Sequence, residues 1–90
     1  IILFMDINEL IAIVKKKLQS QIVTDNILVE DKSFLHKGHS GSQPNKFHLK
    51  ISIKSDELKK MKKIDSSKKI YKILDEEIKK FIHSVQILIL

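Results

Sequence analysis

Eight consecutive residues constrain this chain more than any other stretch. In Phe47–Lys54, Phe47, Leu49, Ile51 and Ile53 alternate with His48, Lys50, Ser52 and Lys54. A two-residue period sends successive side chains to opposite faces, so the segment predicts a β-strand with one buried and one wet face. Whatever else the chain does, it must cover the apolar side of that strand and pair its edges.

The flanking segments carry patterns suited to both tasks. Asp6 followed by Glu9 has the form of an N-terminal capping pair. Ile7, Leu10, Ile11, Val14 and Leu18 then recur at helical spacing, with Lys15, Lys16, Lys17 and Gln19 largely on the wet side, predicting a helix that ends near Ser20. Ile27, Leu28 and Val29 mark a strand over Asn26–Asp31. Lys32–Asn45 reads as a loop, since it holds both glycines, the only proline, three serines and two histidines. Ser55-Asp56-Glu57 caps a short helix over Asp56–Met61. Asp65, Ser66 or Ser67 caps a longer one, with Ile70, Ile73, Leu74, Ile78, Phe81 and Ile82 on one face. In the last segment Val85, Ile87 and Ile89 alternate with Gln86, Leu88 and Leu90, which predicts a strand buried on both faces or sitting centrally.

The expected order is therefore α-β-β-α-α-β, an α+β fold with one core. The economical solution is a three-stranded sheet with helices packed on one face. A hairpin makes the first two strands antiparallel, and a helical crossover returns the third parallel to the second, giving a mixed sheet.

Length and composition exclude several classes. Ninety residues allow a single domain, 1–90, and not a two-domain enzyme. With 42% hydrophobic and 31% charged residues the chain fits neither a disordered tail nor a membrane protein. Its longest apolar runs, Ile1–Met5 and Leu10–Val14, fall far short of the roughly 20 residues that cross a bilayer. No cysteine is present, which removes disulfides, thiolate metal sites and cysteine nucleophiles and is compatible with a reducing compartment. Ile1–Phe4 lacks the basic start and cleavage pattern of a signal peptide, and Met5 is a candidate internal start. The expected location is the cytoplasm, or an organelle matrix if a leader has been removed.

The net charge is +6, and all 17 basic residues are Lys. Lys is a compact point charge without the planar fork that reads guanine edges, so sequence-specific DNA readout has little support. Lys59, Lys60, Lys62, Lys63, Lys68 and Lys69 bracket the turn between the second and third helices and form a candidate phosphate-binding surface. The plainer reading is a solvated face. Asp75, Glu76 and Glu77 face Lys72, Lys79 and Lys80 in an i,i+4 pattern, so these carboxylates are expected at the surface. With no Gly-rich phosphate loop opening a helix and no nucleophile arrangement, an enzyme is not expected.

Metal chemistry must come from imidazoles and carboxylates. His36 and His39 lie in the loop segment His36-Lys37-Gly38-His39-Ser40-Gly41, His83 sits where the last helix meets the last strand, and His48 is expected on the wet face of the second strand. Two loop imidazoles and one at a helix–strand corner can meet at one edge of the sheet; solvated polar residues are the alternative. Gly38-His39-Ser40-Gly41 also spells the G-x-x-G of K-homology domains, but it falls between strands rather than between helices and is discounted.

The run Glu30-Asp31-Lys32-Ser33-Phe34-Leu35-His36-Lys37-Gly38-His39-Ser40-Gly41, then His48, then Ser55-Asp56, resembles the BolA family. Tyr71, Leu74 and Glu77, followed by Ile82-His83-Ser84-Val85, continue the likeness in the same order, from Asn8 to Leu90. Ser66 and Ser67 stand where many members carry an Arg-His pair, and Leu49 replaces an aromatic residue. The resemblance implies a topology like that of type II K-homology (KH) domains and a non-enzymatic partner of monothiol glutaredoxins in iron–sulfur cluster trafficking or iron regulation. It implies a 2Fe-2S cluster held in the complex only, by a glutaredoxin cysteine, the thiol of glutathione, His83 and a loop ligand, His36 or in competition His39. Two imidazoles on one iron raise the reduction potential relative to four thiolates. The isolated chain is then a cofactor-free monomer that forms a heterodimer. The alternative implied by the family is a DNA-binding transcriptional regulator using the lysine cluster, with weak DNA affinity.

Overall fold

A computed structural model describes residues 5–33 and 47–90. His36 and His39, with Gly38 and Gly41, lie outside the described residues. The elements are α1 (Ile7–Gln21), β1 (Asn26–Asp31), β2 (Phe47–Lys54), α2 (Asp56–Lys59), α3 (Lys63–Ile73), α4 (Asp75–Lys80) and β3 (Ile82–Ile89).

The sheet has the order β1-β2-β3. β1 and β2 run antiparallel, from Asn26 opposite Lys54 to Asp31 opposite Leu49. β3 is parallel to β2, with Leu49, Ile51 and Ile53 beside Val85, Ile87 and Ile89. This is the mixed sheet expected from the hairpin and the helical crossover, and it is β2 that lies at its centre. One face of the sheet presents Ile27, Val29, Leu49, Ile51 and Ile53 to a helical layer that contributes Leu10, Val14, Leu18, Leu58, Ile70 and Leu74, all buried. Burial of each such side chain is worth about 1.5–3 kcal/mol, so this one interface dominates the stability. Among the described residues no helix is long and apolar enough to cross a membrane.

Local signals behave unevenly. Asp6 occupies the N-cap position of α1 and its carbonyl accepts from Leu10 N–H (2.9 Å), but its side chain makes no cap bond. The predicted capping pair does not form there, and α1 is held by its buried stripe of Leu10, Val14 and Leu18. Ser55 does cap α2, accepting from Leu58 N–H (3.2 Å) and donating to Val23 O (2.7 Å). α3 starts at Lys63, earlier than the serine and aspartate caps predict, and Ser66 is buried inside it with its hydroxyl donating to Lys63 O (2.9 Å).

Two larger expectations fail. The single long helix is two, because Leu74 leaves helical geometry (φ −97°, ψ 15°) between α3 and α4. The break shifts the phase of the inward face, so Glu77 is buried while Ile78 is only half-buried. Glu77 is thus no surface carboxylate: its Oε2 lies 2.7 Å from Lys17 Nζ on α1. Asp75–Lys79 and Glu76–Lys80 keep the expected i,i+4 pairing, each at 3.0 Å. β3, in turn, is an edge strand rather than a central one, and Leu88 and Leu90 are 43% and 51% exposed. Among the described residues helices cover one side only, so the other face of this edge strand has no layer over it.

Candidate functional site

The site forms where the end of α4 delivers the chain into β3 beside the start of β2. Phe47 N–H donates to Phe81 O at 2.8 Å, which ties the two strand starts together. Phe47 is paired with Ile82, yet the next residue of β2, His48, is paired with Ser84. β3 therefore carries one extra residue at this point, and that residue is His83. A bulge in a parallel pair is uncommon and re-aims the side chain it carries. Here it sets the imidazoles of His48 and His83 edge to face, with ring centroids 4.8 Å apart and planes inclined by 62°.

The two rings differ in surroundings. His83 is exposed. His48 is only 6% exposed, against the expectation of a wet-face histidine. It does lie on the face away from the helices, but neighbours close over it. Its Nδ1 is 2.6 Å from Ser84 Oγ, its backbone N–H donates to Ser33 Oγ (3.1 Å), and its carbonyl accepts from Lys32 N–H (2.7 Å). The Ser84 contact occupies one ring nitrogen and fixes the ring plane, as outer-layer partners do for imidazoles near metals. His83 is left as the outward-facing imidazole.

Sequence reasoning singled out His83; it named His48 only as a wet-face histidine and Ser84 only within the family resemblance, and foresaw neither the enclosure of His48 nor its contact with Ser84. No local signal could have found them, because the pairing of 48 with 84 depends on the bulge. The loop candidates His36 and His39 lie outside the described residues. Among the described residues no three His, Cys, Asp or Glu side chains gather into a metal cage.

The lysine candidates are less unified than their spacing suggests. Lys59, Lys60, Lys62, Lys63 and Lys68 are exposed around the α2–α3 turn. Lys69 is half-buried and bound to Glu57 Oε2 at 2.8 Å. Lys59 and Lys63 border a groove beside β3, whereas Lys69 borders a different one shared with Lys17 and Lys72.

Fold and site together define a small α+β module that carries an exposed imidazole on a bulged strand at the rim of its sheet. The chain belongs to the BolA family: the family model described as BolA-like protein matches residues 18–90. A curated relative, the DNA-binding transcriptional regulator BolA of Haemophilus influenzae, is 30% identical over 73 residues, or 81% of this chain and 68% of the relative. Among solved structures, the BolA domain of SufE1 from Arabidopsis thaliana is similar with a TM-score of 0.74 and 26% identity, covering 87% of this chain and 86% of that one. BolA1 from the same plant shares the fold, with a TM-score of 0.71, 24% identity and the same coverage.

Proposed function

We propose that this BolA-family chain acts, without catalysis of its own, as the partner of a monothiol glutaredoxin and shares a 2Fe-2S cluster with it. The observation that carries the reading is the exposed imidazole of His83 on a β-bulge, backed by the buried imidazole of His48. A shared cluster needs a donor that a second protein can reach, and His83 is one. His83 would ligate iron, His48 and Ser84 would hold its surroundings rigid, and His36, or His39 in its place, would supply the loop ligand. When bound, the cluster supplies redox-active iron that can pass between proteins, at a potential raised by imidazole ligation. The lack of cysteine fits this division, since the thiolates then come from the glutaredoxin and from glutathione.

Co-expression with a monothiol glutaredoxin in the presence of glutathione tests the reading. The wild-type complex is expected to be coloured, and His83→Ala and His36→Ala are each expected to change or abolish its visible absorption. Acidification should bleach it, because only the neutral imidazole ligates. An unchanged spectrum in both variants overturns the proposal.

A second reading, contact with DNA through Lys59, Lys60, Lys62, Lys63 and Lys68, is favoured by the name of the Haemophilus relative and by the exposure of these lysines. It predicts a steep salt dependence with little sequence preference and no colour. The absence of Arg weighs against it.

A further inference from the structure

At the end of β3 remote from His83, three features coincide. The first is an open strand edge: among the described residues β3 has β2 as its only neighbour. Leu90 N–H donates to Ile53 O (2.8 Å), so the even-numbered residues turn their main-chain groups toward β2. Alternation along a strand then turns those of Ile87 and Ile89 outward. Val85 obeys the same parity, and there the Tyr71 hydroxyl donates to the outward carbonyl (3.4 Å).

The second feature is that the strand itself carries no guard. Exposed edges are ordinarily blunted by lysine, by proline or by an inward-pointing charge. Ile82–Ile89 contains no Lys, no carboxylate and no proline. The third is a groove of about 290 Å³ alongside this edge, with Leu58, Met61, Ile87 and Ile89 giving it apolar walls and Lys59 and Lys63 standing at its border. Among the described residues no carboxylate lines it.

We propose that this edge and groove accept an extended, acidic segment of a partner protein, which adds to the sheet as a fourth strand. Main-chain bonds to Ile87 and Ile89 give the segment its direction, alternate apolar side chains enter the groove, and carboxylates meet Lys59 and Lys63. The charge selects the partner. A second copy of this chain would bring another +6 to a lysine-bordered groove, so self-pairing is opposed. A nucleic acid offers phosphates to the lysines and base edges to the strand, but lacks the two-residue alternation of apolar side chains that matches the strand edge and the walls together. The position is independent of the cluster reading: five residues separate His83 from Leu88, roughly 16 Å along a strand, so both surfaces can be occupied at once.

The probe is a fluorescein-labelled octapeptide of alternating Glu and Val, capped at both ends, read by anisotropy and by amide NMR shifts on the full chain. Binding is expected, with shifts concentrated at Ile87–Ile89 and at Lys59–Lys63 and with His83 undisturbed. The double variant Lys59→Glu/Lys63→Glu, with an unchanged circular dichroism spectrum, is expected to bind about tenfold or more weakly. A peptide N-methylated along one edge should lose binding, because it keeps the side chains and loses the main-chain donors. His83→Ala should bind the peptide like wild type, which separates this result from the fate of the cluster reading. No binding at millimolar peptide, equal binding of the methylated peptide, shifts elsewhere, or binding at this groove of an octathymidine oligonucleotide alone would each overturn the proposal.

Discussion

The His48 and His83 rings meet edge to face at 4.8 Å although they come from different strands, and the contact exists because β3 has one residue more than β2 at that point. Their exposures are opposite, so their substitutions should be too. His83→Ala is expected to leave stability within about 0.5 kcal/mol of wild type, as exposed substitutions do. His48→Ala empties a buried, hydrogen-bonded position and should cost about 1–3 kcal/mol. Urea midpoints of the two variants check this, and equal values would mean that the rings do not differ in burial.

The Lys17–Glu77 pair joins α1 to α4 and is lopsided. Glu77 is buried, with Oε1 lacking a hydrogen-bond partner among the described residues, whereas the Lys17 side chain is 37% exposed. Lys17→Met strands a buried carboxylate and should cost about 1–2 kcal/mol, a figure reduced for the screening that the exposed lysine already feels. Glu77→Leu leaves a lysine that water can solvate, and its cost should be smaller by about 1 kcal/mol. Chemical denaturation of both variants measures the difference.

Acid should weaken the fold through surface carboxylates. A hydrogen bond from Lys69, then one from Val23 N–H, holds Glu57 below the ordinary carboxylate value of 4.5, and a hydrogen bond and the charge of Lys80 lower Glu76. Their contribution is present above that value and is lost as pH falls through the lowered folded values. At the other extreme, the Glu77 hydrogen bond raises Lys17 above 10.5, so that contribution persists below 10.5 and disappears as pH climbs through the raised value. Melting temperatures between pH 3 and 6 should fall with acidity, and Lys69→Met should flatten that slope.

Leu74 and Leu88 are chemically identical and structurally opposite. Leu74 is fully buried at the break between α3 and α4, and Leu88 is 43% exposed on the open face of the edge strand. Leu74→Ala should cost about 2–5 kcal/mol, and Leu88→Ala about 0.5 kcal/mol or less. Thermal melts of the pair distinguish the helix-covered side of the sheet from the bare one.

Much of the fold was legible because it rests on periodicity. Asn26–Asp31 and Phe47–Lys54 are strands with the predicted bounds, and α1 runs one residue past the predicted end. Where reading failed, the missing information was the presence or absence of a neighbour. Glu77 looked solvated because Ile73, Leu74 and Ile78 together claim one side of a continuous helix, and only the break at Leu74 undoes that claim. Leu88 and Leu90 looked like core because apolar residues on both faces suit a central strand, and nothing local records that, among the described residues, β3 has a single neighbouring strand.

The order of side chains along the chain by itself determined the α+β class, the two strands of the hairpin and the capped start of α2. Each follows from spacing or local chemistry within a few residues. The tertiary structure alone decided that His83 sits on a bulge, that His48 is enclosed against Ser84, and that Lys17 reaches Glu77. Those contacts join segments distant in sequence, and their geometry depends on strand register and helix phase, where a shift of one residue changes which side chains meet.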